Sequence, residues 1–202
     1  MDRSRCCCMG KIFYVMGKSS SGKDTIYKQL RERDKALRTV VPYTTRPIRE
    51  GETEGVEYFF VDIDKLARMR EGRQIIEERS YNTKCGVWTY FTADDGQIDL
   101  EKYDYLMIGT LVSYSALKEY FGAEKIVPVY IQVEDGERLL RAVSRERKEP
   151  VPKYAELCRR FLADEKDFSE EQLQRAGVEV RFENEDLEKC LEEIERFIEE
   201  NK

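Results

Sequence analysis

A glycine-bearing turn between an apolar run and a helical pattern constrains this chain more than any other feature of its sequence. Residues 17–23 read Gly-Lys-Ser-Ser-Ser-Gly-Lys and match the pattern G-x-x-x-x-G-K. The run Ile12–Met16 before the turn predicts a buried strand, and Lys23–Arg33 after it predicts a helix. Glycines let successive backbone N–H groups face one phosphate, and the helix dipole strengthens that attraction. The context favours a phosphate-binding loop over an ordinary turn, with these binding residues: Gly17, Ser19, Ser20, Ser21, Gly22 and Lys23.

The residue after the lysine departs from the usual pattern, in which a serine or threonine hydroxyl binds Mg²⁺. Asp24 stands in that place, and Thr25 follows it. A carboxylate is a good ligand for Mg²⁺. An acidic residue in the first turn of a helix is also stabilised by the helix dipole, without any metal. Both interpretations of Asp24 stay open, and Asp24 is the candidate metal ligand.

Composition excludes several kinds of chemistry. The length of 202 residues suits one domain with small inserts, and the net charge of −6 argues against a nucleic-acid backbone or an anionic membrane as the main partner. The chain has no histidine, which excludes histidine-based acid–base catalysis and histidine metal sites. The six cysteines form no CxxC pair, so we expect no structural zinc site and a reducing, cytoplasmic location. The longest apolar runs are of strand length, so no membrane span is expected.

Short apolar runs alternate with helical stretches along most of the chain. Further strands are predicted at Leu37–Val41, Tyr105–Ile108, Val127–Val133 and Val178–Phe182. A last helix is predicted because apolar residues recur at a spacing of three and four: Leu187, Cys190, Leu191, Ile194, Phe197 and Ile198. Strands that alternate with helices predict an α/β fold with a parallel sheet covered on both faces.

Two regions break this alternation and suggest the domain organisation. Residues 43–92 are rich in aromatic and β-branched side chains and predict a small mixed insert with its own strands. The stretch Ser144–Tyr154 is basic, contains two prolines and predicts an exposed loop within a lid at about 144–158. Residues 9–42 and 93–202 form the predicted core, and residues 1–8, with three adjacent cysteines, are expected to be a disordered tail.

A pair of arginines follows the second predicted strand. Residues 43–52 read Tyr-Thr-Thr-Arg-Pro-Ile-Arg-Glu-Gly-Glu, which places Arg46 and Arg49 three residues apart. Two guanidinium groups at this spacing can converge on one phosphate, and the phenol of Tyr58 can add a hydrogen bond. The alternative is a solvated turn with incidental charges.

These motifs together resemble those of the guanylate kinases, whose pattern is T-T-R-x-x-R-x-G-E followed by G-x-D/E-Y-x-F-V. Residues 43–52 and Gly55–Val61 match it, and with the phosphate loop the resemblance covers nearly all of the chain from Met9 onward. The resemblance implies a five-stranded parallel sheet flanked by helices, a small mixed α/β insert that binds the acceptor, and a helical lid. It also implies transfer of the γ-phosphoryl group of ATP to GMP with Mg²⁺, small nucleotides as partners, and a monomer or homodimer.

The resemblance also assigns roles to single residues. Thr45, Arg46, Arg49 and Tyr58 would hold the acceptor phosphate, and Glu77 in Ile75-Ile76-Glu77 would accept from the guanine edge. Asn184 would lie near the adenine of ATP, and its position also predicts an N-cap for the last helix. Lid arginines complete the catalytic set, which we expect to comprise Lys23, Arg46, Arg145 and Arg160.

The chain departs from the family pattern in ways that concern the acceptor. Pro42 replaces a serine, Cys85-Gly86-Val87 replaces Y-G-T/S, and the expected L-D-x-D falls in Leu106–Thr110, where Thr110 takes the second aspartate's place. The G-K-D-[ST] loop resembles that of ribose bisphosphate phosphokinases, so a different acceptor stays open as an alternative. A binding module without activity is a second alternative, which the intact loop glycines and lysine disfavour.

Overall fold

The computed structural model describes residues 9–83 and 86–202. The predicted tail at residues 1–8 and Cys85 lie outside these ranges. Within them the chain forms two β-sheets and the helices α1 to α7.

The larger sheet has five strands, and every neighbouring pair is parallel. Its strand order is β2-β7-β1-β8-β9. The strands are β1 (Ile12–Met16), β2 (Arg38–Thr39), β7 (Tyr105–Gly109), β8 (Ile126–Gln132) and β9 (Arg181–Glu183). The α/β class and the five-stranded parallel sheet predicted from the sequence are confirmed.

The two edge strands differ from their predicted bounds. β2 is shorter than Leu37–Val41, and β9 begins three residues later than the predicted start at Val178. Helix α6 (Glu170–Ala176) ends at Gly177, and the N–H of Val178 donates to the carbonyl of Leu173 at 2.9 Å. Val178 therefore completes the end of that helix instead of joining the sheet.

Helices cover both faces of the larger sheet because alternate residues of β1 point to opposite sides. Tyr14 and Met16 pack in one core with residues of α3 (Leu111–Phe121) and α6. Phe13 and Val15 pack in the other core with residues of α1 (Lys23–Arg33) and α7 (Leu187–Asn201).

The smaller sheet has four strands in the order β4-β3-β6-β5. The strands are β3 (Tyr43–Thr44), β4 (Phe59–Phe60), β5 (Ile75–Thr83) and β6 (Gly86–Ala93). β3 and β4 run parallel and the other pairs run antiparallel, so the sheet is mixed. Helix α2 (Ile63–Glu71) packs Leu66 and Met69 against this sheet, and β5 runs beside α3.

The basic loop is shorter than the stretch Ser144–Tyr154 predicted for it. Helix α4 (Asp135–Glu146) extends through the first three of those residues, and α5 (Tyr154–Asp167) begins at the last. The carboxylate of Glu146 accepts from the N–H of Lys153 and so joins the two ends of the loop. No helix in the described ranges combines the length and the apolarity needed to cross a membrane.

An ion pair closes the turn that follows β3. Arg46 donates to both carboxylate oxygens of Glu52, at 2.6 and 2.7 Å, and the N–H of Arg49 donates to the same carboxylate at 2.9 Å. The hydrogen bonds from Arg46 hold the pKa of Glu52 below its ordinary value.

Replacement of Leu191 by alanine should destabilise the fold. Leu191 is fully buried in the core beside Phe13 and Val15, so Leu191→Ala should lower the free energy of unfolding by about 2–5 kcal/mol. Leu140→Ala is the matched control because that side chain is 65% exposed, and its effect should stay within about 0.5 kcal/mol. Urea unfolding measures both, and equal effects would contradict the assignment of this core.

The Arg46–Glu52 pair should make stability depend on pH in a defined direction. A carboxyl whose folded-state pKa is lowered stabilises the fold fully above its unfolded pKa, and that contribution is lost as the pH falls through the folded pKa. Glu52→Gln should therefore cost on the order of 2 kcal/mol at pH ~7, and the difference from the wild type should shrink as the pH falls below ~4.

Urea unfolding at several pH values measures this difference. Glu50→Gln, on the exposed part of the same turn, is the control and should show little effect at any pH. A Glu52→Gln difference that is the same at both ends of the pH range would contradict the ion-pair explanation.

Candidate functional site

The loop between β1 and α1 adopts a conformation that requires its two glycines. Ser20 has φ of 65° and Gly22 has φ of 86°, both in the left-handed region. A Cβ on Gly17 would lie 2.6 Å from the carbonyl oxygen of Ile131, and one on Gly22 would lie 2.3 Å from Nδ2 of Asn184. Larger residues at either glycine would therefore force the loop away from the strand and side chain that it packs against.

The loop presents unpaired donors at the start of α1. The N–H groups of Gly22, Lys23 and Asp24 donate to no other described residue, and no side chain caps the helix. Ser21 Oγ is buried and has no hydrogen-bond partner in the described chain. Because the helix dipole also favours negative charge here, this arrangement fits a phosphate group.

Charged side chains on α4 and α5 hold the loop at Lys18 and Ser19. Arg138, with a side chain only 1% exposed, donates to the carbonyl of Ser19 at 3.2 Å and to Glu165 at 2.7 Å. Lys18 donates to the same glutamate at 2.7 Å, and Asp164 accepts from the N–H of Ser19 at 2.8 Å. Arg138 on α4 therefore supports the phosphate loop through its contacts with Ser19 and Glu165.

The two predicted lid arginines lie on the outer side of the loop. Arg145 donates to Ser20 Oγ at 3.3 Å, and Arg160 lines the same small cavity as Ser19, Ser20 and Arg145. The Nε of Arg160 is buried without a hydrogen-bond partner in the described chain, and its nearest carboxylate, on Glu156, is 4.0 Å away. These guanidinium groups are therefore available to an anion bound at the loop.

Asn184 contacts the loop but does not cap the last helix. Its Nδ2 donates to the carbonyl of Ser21 at 2.7 Å, and its side chain is buried beneath Gly22. The N-cap of α7 is Asp186, which accepts from the N–H of Lys189 at 3.0 Å. The predicted N-cap role of Asn184 is wrong because Asn184 lies before the turn in which the helix starts, with its N–H bonded to Gln132 in the adjacent strand.

Asp24 is an isolated carboxylate at the start of α1. It lies 3.3 Å from Nζ of Lys23, and its side chain is 83% exposed. Among the described residues, no three metal-ligating side chains cluster together. Mg²⁺ is commonly held by one or two carboxylates together with phosphates and water. A single carboxylate such as Asp24 is therefore enough for Mg²⁺ when phosphates supply the other ligands. Thr25 is exposed on a separate surface groove beside Asp24.

A cavity of about 890 Å³ separates the start of α1 from the smaller sheet. A volume of this size is in the range of small-molecule sites. Charged residues line one side and aromatic residues much of the other, including Lys23, Asp24, Lys28, Arg31, Tyr58, Arg79, Tyr81, Trp88, Tyr90 and Thr110. The loop and the smaller sheet therefore face each other across one cavity.

The predicted acceptor residues differ in how they relate to this cavity. Tyr58 and Thr110 line it. Arg46 lies behind Tyr58, with its guanidinium 5.0 Å from the ring centre, and is paired with Glu52. Thr45 is bonded to Thr89 through both its N–H and its hydroxyl, at 2.9 Å each, so its hydroxyl already has a partner.

Arg49 lies near the cavity without lining it. Its guanidinium is 5.9 Å from the ring of Trp88, which does line the cavity, and the residue is exposed. An exposed arginine at this place can reach a ligand phosphate without breaking a buried contact.

Glu77 lies behind Arg79, a residue that the sequence analysis did not single out. Its side chain is 3% exposed and accepts from Thr92 Oγ1 at 2.8 Å and from Arg79 Nε at 3.0 Å. Arg79 lines the cavity and also donates to Thr110 Oγ1 at 3.1 Å. Burial lowers the pKa of Arg79, but the charge and hydrogen bond of Glu77, together with the nearby Tyr14 and Tyr81, outweigh burial, so the pKa lies above its ordinary value and the guanidinium stays charged.

The strand pattern held a signal for this residue. Side chains two apart on a strand share a face, so a strand at Ile75–Thr83 places Glu77, Arg79 and Tyr81 on the same side. Tyr14 was also missed, and it joins the same group through Ser113, whose Oγ lies 2.7 Å from its hydroxyl and 3.0 Å from Thr110 Oγ1.

Comparisons with known proteins agree with this arrangement. Residues 9–87 match the family model described as Guanylate kinase. A guanylate kinase of Frankia casuarinae is 45% identical over 67 residues, which are 33% of this chain and 36% of that protein. A guanylate kinase of Bordetella pertussis is 40% identical over 68 residues, or 34% and 32% of the two chains.

Another relative extends slightly further along the chain. A guanylate kinase of Cupriavidus metallidurans is 37% identical over 83 residues, or 39% of this chain and 38% of that protein. The chain thus aligns with between 32% and 38% of the length of these curated relatives.

A solved structure matches nearly the whole chain. The crystal structure of guanylate kinase from Anaplasma phagocytophilum matches with a TM-score of 0.67 and 20% identity, covering 95% of this chain and 86% of that one. At this identity the match establishes the fold alone. The chain is therefore similar to guanylate kinases in sequence over residues 9–87, and it shares the fold of a solved guanylate kinase over nearly all of its length.

Proposed function

We propose that this chain is an ATP-dependent nucleoside monophosphate kinase that transfers the γ-phosphoryl group of ATP to GMP, giving ADP and GDP. One observation carries the proposal: the phosphate loop and the smaller sheet face each other across a single cavity of about 890 Å³, with Lys23 on its wall. A donor nucleotide held by the loop and an acceptor held by the sheet would meet beside this lysine.

The loop residues would hold and orient the phosphates of ATP. The free N–H groups at the start of α1 would donate to phosphate oxygens, and Lys23 would stabilise the negative charge that develops during transfer. Mg²⁺, when bound, neutralises charge on the phosphate oxygens, and Asp24 is the residue placed to hold it. Asn184 keeps the loop in this shape from below, near the nucleotide.

The lid arginines would complete the charge stabilisation. Arg145 and Arg160 already lie against the outer side of the loop, where closure of the segment at about 144–158 would bring them onto the phosphates and exclude water. No general base of unusual pKa is needed, since phosphoryl transfer depends mainly on positioning and on charge stabilisation.

We assign the acceptor phosphate to the insert at residues 43–92. Tyr58 lines the cavity and would donate its phenol to the phosphate, and Arg49 would reach it from the rim. Arg46, stacked behind Tyr58 and paired with Glu52, would supply positive charge and hold Tyr58 in place. Thr45 would fix the strand that carries these residues through its two bonds to Thr89.

Replacement of Lys23 should abolish most of the transfer activity. Lys23→Ala removes the cation beside the transferred group, so kcat should fall by about 10²- to 10³-fold while the protein stays folded. A coupled assay of ADP release with ATP, Mg²⁺ and GMP measures the loss. Lys35→Ala is the control and should retain wild-type activity. Lys35 is an exposed lysine just beyond α1, and it donates to the carbonyl of Arg31 within that helix. Activity of Lys23→Ala within threefold of the wild type would contradict the proposal.

Replacement of Asp24 should change the requirement for magnesium. Asp24→Asn removes a negative ligand, so half-maximal activity should need about tenfold more Mg²⁺. Glu32→Gln, an exposed carboxylate on the same helix, should leave the Mg²⁺ titration unchanged. A wild-type titration curve for Asp24→Asn would show that Asp24 is only a residue that stabilises the helix end.

A further inference from the structure

The cavity wall beside β5 presents hydrogen-bond donors where a carboxylate would be expected. Both oxygens of Glu77 are already occupied, one by Thr92 and Arg79 and the other by Arg79. Its side chain is nearly inaccessible, and Arg79, Thr92 and Thr110 line the cavity in its place. A ligand at this wall therefore meets a guanidinium and hydroxyl groups.

Arg79 keeps donors available to a ligand. A guanidinium has five N–H groups. Three hydrogen bonds are made within the described chain, two to Glu77 and one to Thr110, so two N–H groups of Arg79 donate to no described residue. The cation is also fixed in place, because Thr110 is itself bonded to Ser113, which is bonded to Tyr14. The remaining donors consequently have a defined direction.

We infer that Arg79 recognises the 6-oxo edge of a purine, and that the acceptor site selects 6-oxopurine nucleoside monophosphates with little regard for the 2-amino group. This inference rests on the proposed function. Guanine presents O6 and N7 as paired acceptors, which match two guanidinium N–H groups, whereas adenine places an amino donor at position 6. Hypoxanthine shares the O6 and N7 edge of guanine but lacks its 2-amino group.

The same geometry explains why the 2-amino group should matter little. Its recognition needs an acceptor, and a buried carboxylate that already receives three hydrogen bonds has little capacity left for another. Release of Glu77 from Arg79 would also separate a buried charge pair, which is costly. Arg79 thus recognises the base, and Glu77 positions Arg79.

Fluorescence titration of the full chain tests this inference directly. Trp88 is the single tryptophan and lines the same cavity, so its emission reports acceptor binding. GMP and IMP should bind with dissociation constants within about threefold of each other, and AMP should bind at least about tenfold more weakly, as expected for one mismatched base edge. IMP binding tenfold weaker than GMP, or AMP binding as tight as GMP, would overturn the inference.

Two matched variants locate the effect. Arg79→Gln should weaken GMP binding about tenfold or more and bring GMP and AMP within threefold of each other. Arg70→Gln is the control, since Arg70 makes a similar pair with Glu78 at 2.9 Å but does not line the cavity, and it should bind all three nucleotides as the wild type does. An unchanged preference of Arg79→Gln for GMP over AMP would overturn the assignment.

A second pair of variants separates the loss of base preference from misfolding and tests whether Glu77 contacts the base. Arg79→Gln leaves Glu77 buried without its partner, so Arg79→Gln with Glu77→Gln keeps the wall neutral and should show the same loss of preference. Glu77→Gln alone should leave the ratio of GMP to IMP affinity unchanged. A change in that ratio would show that Glu77 contacts the 2-amino group.

The failure of this inference can be told apart from failure of the proposed function. ADP release is measured with each monophosphate in parallel, and so is binding of ATP with Mg²⁺. Turnover of GMP with rejection of IMP would leave the kinase proposal intact and remove the inference. Binding of ATP without binding or turnover of any of the three monophosphates would remove both.

Discussion

Unpaired backbone donors at the start of α1 are the constraint on which the rest of the structure depends. The N–H groups of Gly22, Lys23 and Asp24 find no partner in the described chain, and such groups are costly unless water or a ligand satisfies them. A loop with unpaired N–H groups would ordinarily rearrange so that its own side chains accept from them. Here it is held open by groups from distant parts of the sequence.

Two contacts from distant parts of the sequence hold the loop. Asn184 bonds to Ser21 from the corner before α7, and Arg138 bonds to Ser19 from α4. Both supporting side chains are buried, so their hydrogen bonds are strong and their positions are fixed. Side chains from α4 and from the segment before α7 thus hold the loop in one conformation, so folding of the C-terminal half is coupled to the geometry of a loop near the N-terminus.

The sequence predicted the features that depend on local order. The strand Ile12–Met16, the glycine-bearing turn and the helix Lys23–Arg33 all lie where the pattern places them, because apolar run length, glycine spacing and helical periodicity are local properties. The start of β9 was predicted three residues early, because an apolar residue that completes a helix end looks the same in a sequence as one that begins a strand.

Long-range pairing limited what could be predicted of the site. Arg46 and Glu52 are close in sequence, yet only the folded turn shows that the Glu52 carboxylate forms an ion pair with the Arg46 guanidinium. The environment of Glu77 depends on Thr92, which the antiparallel pairing of β5 and β6 brings opposite it. It also depends on Thr110, the N-cap of α3, which anchors Arg79. A residue-by-residue resemblance indicates which side chains are present, but not which neighbour uses up their hydrogen bonds.

The charged residues on the wall of the large cavity differ from the guanylate kinase pattern in two related ways. The family pattern places two aspartates in the stretch that here is Leu106–Thr110, and this chain has neither of them. It has instead a guanidinium on the neighbouring strand that bonds to the threonine in the second position. With the aspartates absent, Arg79 neutralises Glu77 and still faces the cavity, which makes this wall more favourable to the negative charge of a monophosphate. The absence of these aspartates and the presence of Arg79 are therefore parts of one electrostatic arrangement, in which the wall offers donating groups to the ligand that we propose for it.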